Sequence, residues 1–387
     1  MRRATRRIAR VPSRIRERLA EERVISIRAP EPRGQALISY VLTPFMLPPG
    51  QPIPNHHTQF WEARAIADAF LAEGYSIDVI SFMNEAFMPR KQYDFAVDVR
   101  WNLERLAPVL GPRCTKIMHI DIAHVLFHNE AEARRLLDLQ RRRGVTLMPR
   151  RHERSNFCIE AADCATMLGN DFTLGTYRYS RKPIFKVPIT APELWPSQGQ
   201  RDFEQCRTTF LWLGTYGLVH KGLDLVLEAF AEMPQYRLIV CGPTNEEDFV
   251  QEYRRELYET PNIETIGWID IGSRRFREIA EKCVALVFPS CSEGQSGSTV
   301  TAMHAGLIPI VSYESGVDVA PEFGIILKTC AIEEIKSAVS HIAGLPPDEL
   351  RSMSERARSY AQTHHTRENF TRVYREIVRN LAARRAA

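Results

Sequence analysis

Short apolar runs alternate with amphipathic stretches along most of the chain. "ALISYVL" (Ala36–Leu42), "SIDVISF" (Ser76–Phe82), "YDFAVDVR" (Tyr93–Arg100), "TKIMHIDI" (Thr115–Ile122) and "ADCATMLG" (Ala162–Gly169) read as buried strands. Between them, "QFWEARAIADAFLAEG" (Gln59–Gly74) and "NEAEARRLLDLQRRRG" (Asn129–Gly144) carry apolar residues at helical spacing and end on glycine, a helix stop signal. Short strands followed by helices predict a parallel sheet covered on both faces. The rhythm breaks at Pro188–Thr209, rich in proline and polar residues, and then restarts. "FLWLG", "YRLIVCG", "NIETIGWI", "ALVFPS", "IPIVSY" and "FGIILKT" are strands separated by helices, and three helical stretches follow. The expected architecture is α/β, with two doubly wound, Rossmann-like domains. Residues 1–33 form a basic tail, 34–190 the first domain, 191–208 a linker and 209–365 the second domain. Residues 366–387 form a helix that can pack back on the first domain. Ligands of such sheets bind at the carboxyl ends of the strands, here across the cleft between domains.

The totals fit this picture. A chain of 387 residues is long for one core. It is 44% hydrophobic and 25% charged, as soluble domains are, with no apolar run long enough to span a bilayer and no apolar secretory leader. The net charge of +4 does not call for a nucleic-acid partner. Met1–Pro30 stands apart, with ten arginines against three acids. It reads as a solvated tail, with peripheral contact to an anionic membrane surface as the alternative. None of the eight cysteines forms a C-x-x-C pair, and several sit in apolar runs, which favours reduced, buried thiols in a cytoplasmic protein.

Two stretches carry chemistry. In "FLWLGTYGLVHKGLDLVLEAF" (Phe210–Phe230) a strand ends at Gly214, a loop with Thr215 and Gly217 follows, and Lys221-Gly222 stand at a helix start. Glycines let backbone amides approach an anion, and a lysine adds a mobile charge for phosphate. An ordinary surface lysine is the plain alternative. The spacing matches neither a Walker A loop nor G-x-G-x-x-G. In "FPSCSEGQSGSTVTAMHAGLIPIVS" (Phe288–Ser312), Gly297, Ser298 and Thr299 open a helix whose first amides are free for capping or for an anion. Glu293, before Gly294 at a strand's carboxyl end, sits where it can accept hydrogen bonds from ligand hydroxyls.

Together, "GTYGLVHKG" and "FPSCSEG…AMHAGLIPIVS" resemble the C-terminal half of the retaining glycosyltransferases of family 4, also called group 1. The resemblance covers nearly all of Phe210–Val319; "HHTQFWEARAIADAFLAEGYSIDVISF" in the first half is similar in a more generic way. It implies the GT-B fold and a nucleotide-sugar donor in the cleft. Lys221 then matches the lysine on the donor diphosphate and Glu293 the first glutamate of an E-x7-E motif, on the transferred sugar. Gly297, Ser298 and Thr299 match the helix start facing the phosphates, and Tyr313–Asp318 a segment near the nucleotide. Two positions depart. Thr215 stands where the family usually has an arginine, for which Arg274 or Arg275 could substitute, and Thr301 replaces the second glutamate, which holds the ribose. One hydroxyl gives a single hydrogen bond where a carboxylate gives two; a threonine bonding back to its own helix is the structural alternative.

The first half should hold the acceptor and a catalytic histidine or polar group. "KIMHIDIAHVLFHNE" offers His119, Asp121, His124 and His128, with His119 also readable as a core histidine. His56, His57 and the basic loop "PRRHERSN" (Arg150, Arg151, His152, Arg154) are further candidates. No His/Cys spacing suggests a metal, and the resemblance implies no cofactor beyond the nucleotide-sugar substrate. The reading is a cytoplasmic glycosyltransferase, in peripheral contact with the inner membrane face as an alternative placement. It transfers a sugar from a nucleotide-diphosphate donor to a hydroxyl of a glycan, polysaccharide or lipid. The competing readings are a nucleotide-sugar- or glycan-binding protein without catalysis, and a GT-B-like nucleotide-sugar epimerase.

Overall fold

The computed structural model describes residues 21–194, 196 and 201–386. Most of the arginine-rich tail and part of the linker lie outside the described residues. Among these, two sheets organise the chain. The first contains β1 (Val24–Ile27), β2 (Gly34–Tyr40), β3 (Tyr75–Ser81), β4 (Phe95–Asp98), β5 (Thr115–Ile120), β6 (Cys164–Leu168) and β7 (Ile184–Val187), in spatial order β1-β3-β2-β4-β5-β6-β7. All pairs are parallel except β1 with β3. The β1 strand corrects the expectation of a tail over 1–33: Val24 lies opposite Ile80 and Ile27 opposite Ile77, so this part of the segment is an edge strand. Ile25 and Ile27 pack on the core while Val24 and Ser26 face outward, an alternation too short to stand out among the arginines.

The second sheet contains β8 (Thr209–Leu213), β9 (Arg237–Cys241), β10 (Ile263–Gly267), β11 (Ala285–Phe288), β12 (Ile308–Ser312) and β13 (Ile325–Leu327), all parallel, in order β10-β9-β8-β11-β12-β13. In each sheet the order reverses beside the first strand of the parallel set. This opens a crevice at the carboxyl ends of β8 and β11 in one domain and of β2 and β4 in the other. β11 is completely buried because helices cover both faces, which is why "ALVF" carries no polar alternation.

Three helices determine how the halves meet. Helix Thr58–Ala72 covers one face of the first sheet through Ala63, Ile66, Ala67 and Phe70, all with no exposed surface. Helix Arg367–Ala386 follows the second domain in sequence but packs on helix Thr58–Ala72, burying Phe370, Tyr374 and Val378 in the first domain's core. Helix Val125–Arg143 belongs to the first domain in sequence, yet Leu139 is buried in the core of the second. Arg142 pairs there with Asp224 and Glu228, and Arg143 with Glu252 and Glu256. The eight cysteines are free thiols, and all but Cys291 are buried. No described helix is long and apolar enough to cross a membrane.

Candidate active site

The strand ends face each other across a cleft of about 650 Å³. From the second domain come Gly214 and Thr215 after β8, Lys221 before helix Leu223–Ala231, Gly242 after β9 and Trp268 after β10. Glu293, Gly297, Ser298 and Thr301 follow β11. From the first domain come Tyr40, Arg100 and Asp121 near the ends of β2, β4 and β5, with His56, His57, Glu62 and Arg151.

Lys221 and Glu293 meet at the second domain's crevice. Lys221 Nζ donates to Glu293 Oε1 at 2.7 Å, with both side chains almost fully buried. Ser290 Oγ donates to the same carboxylate oxygen at 2.9 Å. The Glu293 N–H donates to the carbonyl of Glu314 and the Ser296 N–H to that of Ser315, so the expected Tyr313–Asp318 segment braces the loop; none of its residues lines the cleft. Burial acts to raise the Glu293 pKa, but Lys221, then His220 and Arg151, outweigh it and hold it at about 2. Burial sets the Lys221 direction, below the usual lysine value, against the opposing pull of Glu293.

Helix Gly297–His304 starts at the cleft wall. Its cap is Ser296, whose Oγ accepts from the Thr299 N–H at 3.2 Å, so Ser298 is left to face the cleft. Thr299 is wholly buried and bonds to Ser296, supporting the helix start from behind. A Cβ on Gly297 would meet only Ile189 Cδ1, at 3.9 Å. Thr301 lines the cleft, and among the described residues its hydroxyl forms no hydrogen bond back to the helix.

Several expected residues stand elsewhere. The Gly217 and Leu218 amides donate to Glu246, so that carboxylate occupies the anion site the glycine loop suggested. Gly222 takes a left-handed φ of 73° at the helix cap and packs against Pro289; its role is fit between strand and helix. Gly294 also lies behind the lining, where a Cβ would come within 2.2 Å of the Asp121 carbonyl oxygen across the domain boundary. His119 is fully buried, shares a hydrogen bond with Thr166 Oγ1 at 2.8 Å and does not reach the cleft. His124 caps helix Val125–Arg143, accepts from the Leu126 N–H and bonds Tyr179; it lines a separate small cavity. Asp121 does line the cleft, but an ion pair with Arg100 holds it. Arg274 pairs with Glu278, and neither it nor Arg275 lines the cleft. The sequence reading did not single out Tyr40, Glu62, Arg100 or Trp268. Arg100 and Trp268 sit just past strand ends, a position that flags cleft residues once strand boundaries are known.

Two facing Rossmann-like domains with the cleft across their strand ends define the GT-B fold. The sequence agrees: residues 207–344 match the family model described as "Glycosyl transferases group 1". The match spans most of the second domain and leaves the first domain outside it. No curated protein matches in sequence. Among solved structures, sucrose-phosphate synthase from Thermosynechococcus elongatus superposes with a TM-score of 0.64 at 16% identity, over 91% of this chain and 99% of that one. Anabaena HepE, solved with UDP and glucose, gives 0.56 at 11% identity over 90% and 100%. The pneumococcal O-GlcNAc transferase GtfA, solved with UDP and GlcNAc, gives 0.52 at 12% identity over 74% of this chain and 57% of that one.

Proposed function

We propose that the cleft transfers a sugar from a nucleotide-diphosphate donor to a hydroxyl of a glycan, polysaccharide or lipid acceptor, with retention at the anomeric carbon. The observation that carries this is the buried Lys221–Glu293 pair beside the open helix start at Gly297 and Ser298. In the reaction the anomeric carbon's bond to the diphosphate breaks, a bond to the acceptor oxygen forms, and the acceptor's proton ends on the departing phosphate. Lys221 and the helix amides stabilise the charge that gathers on the leaving group. Glu293 accepts from sugar hydroxyls while keeping Lys221 in place. Trp268, 63% exposed, offers a stacking face for a nucleobase. UDP is the first nucleotide to test because HepE and GtfA were solved with it.

Lys221 and the helix start supply the positive field, so the proposal includes no metal: activity should persist in excess EDTA, and its abolition would overturn that part. The main test incubates the protein with a panel of nucleotide sugars, with and without candidate acceptors. Acceptor-dependent release of nucleoside diphosphate, with an axial or equatorial product bond matching the donor's by NMR, is the expected result. Binding without turnover supports the catalytically silent alternative motivated by Thr215 and Thr301. An epimerised sugar without transfer would identify an epimerase.

A further inference from the structure

A diphosphate brings two or more negative charges into the cleft, where three cations line the wall: Lys221, Arg100 and Arg151. Lys221 already shares its charge with Glu293, and Arg100 with Asp121 and, at longer range, Glu153. Among the described residues, Arg151 alone of the three forms no ion pair with a carboxylate, and its Nε is buried without a hydrogen-bond partner. The position after β8, where a charge could come from the second domain, is the neutral Thr215.

Arg151 is built into place. Its N–H donates to Glu132 Oε1 at 2.8 Å and its carbonyl bonds His128 Nε2 at 2.8 Å, so the backbone is clamped to helix Val125–Arg143. The side chain then crosses to the other domain. Its stem lies so close to Gly217 that a Cβ there would come within 2.4 Å of Arg151 Cγ. Its guanidinium lies 4.8 Å from the Tyr216 ring centroid, in cation–π contact with the loop that follows β8. It is near enough to Glu293 and Lys221 to lower both their pKa values. Its neighbours Arg150 and Arg154 are instead committed to Asp248 and Glu85.

We infer that Arg151, reaching across from the acceptor domain, is the second cation on the donor diphosphate and makes the donor site complete only when the two domains are closed. This rests on the donor reading above. A guanidinium is suited to the task because it can grip two phosphate oxygens at once and stays charged when partly buried.

The test measures binding of UDP, GDP and ADP by calorimetry to the wild type and to Arg151→Gln, Arg151→Lys and Lys221→Ala, with the matching free nucleoside as a competitor and melting temperature as a folding control. For whichever diphosphate the wild type binds, Arg151→Gln should weaken it about 10- to 100-fold. Arg151→Lys should recover part of the loss, and competition by the free nucleoside should not change. If Arg151→Gln folds poorly, Arg151→Lys still decides, because loss of the fork alone should weaken the diphosphate severalfold. Unchanged diphosphate binding in both Arg151 variants, with Lys221→Ala weakened, overturns the inference and leaves the donor site standing. Unchanged binding in Lys221→Ala as well, or no binding of any diphosphate by the wild type, overturns the donor reading itself.

Discussion

Lys221 and Glu293 keep each other charged in a place where neither could stay charged alone. Removing one partner leaves a buried charge, so Lys221→Met should cost about 3–5 kcal/mol of stability as well as nucleotide binding. The double variant Lys221→Met/Glu293→Gln should regain most of that stability and none of the binding; urea denaturation beside calorimetry separates the two. Glu293, held at about 2, adds stability that is complete above about pH 4.5 and lost as the pH falls toward 2. Glu62 does the opposite. Burial lifts its pKa to about 7 against hydrogen bonds from Thr190, so the folded state prefers the proton and loses stability as the pH rises from about 4.5 past 7. Glu62→Gln should therefore gain up to about 3 kcal/mol over the wild type at pH 8 and nothing at pH 4, measured by urea denaturation at both. At this scale the sequence was partly legible. Lys221 and Glu293 stood out because each stands in a glycine-containing loop between an apolar strand and a helix start. Nothing in "YGLVHKG" shows that Glu246, nearly thirty positions on, covers the Gly217 amide. His119 and His124 sit in or just after an apolar strand, and which way a side chain faces depends on strand register and on the helix that follows.

Helix Gly297–His304 separates two jobs that its first residues share. Ser296 serves the fold, and Ser296→Ala should cost about 1 kcal/mol through the lost cap. Gly297 is not needed by the protein's own packing, since a Cβ there finds ordinary contact distance and an ordinary backbone. Gly297→Ala should leave the melting temperature within about 2 °C of wild type while weakening nucleotide binding tenfold or more, because in the proposed donor site the added methyl stands where phosphate would approach. Equal losses in stability and binding would show that the helix start is purely structural. Elements were the most legible level. The strands of the second sheet follow the apolar runs closely because buried parallel strands have no polar face to blur them. β1 and β7 escaped notice because each is four residues long, one beside an arginine-rich stretch and the other close to prolines.

Across the whole molecule the domains are joined by charge as well as by apolar packing. Asp224 has no exposed surface; Arg135 and Arg142 of the other half both favour its charge, and Arg142 pairs with it directly at 2.7 Å. Arg142→Ala should destabilise the protein by about 3 kcal/mol in denaturant titrations, whereas Arg141→Ala, on an exposed pair, should stay within about 0.5 kcal/mol. The alternation of strands and helices predicted two sheets, but not which helix would serve the neighbouring domain, because amphipathic spacing shows that a face is buried without showing against what. Helix Arg367–Ala386 is such a case, and it bears on the order of synthesis. The first sheet leaves the ribosome with the surface that Phe370, Tyr374 and Val378 will cover still open, and it must wait while the whole second domain is translated, on the order of 10–40 s at about 5–20 residues per second. The second domain has its own core and can fold first. A ribosome-bound chain that ends at residue 366 and is tethered by an unstructured linker long enough to clear the exit tunnel should show the second domain, with its helices Ile332–Gly344 and Pro347–His364 outside, resistant to protease and the first still cleavable, so the half of the protein made earlier is finished later.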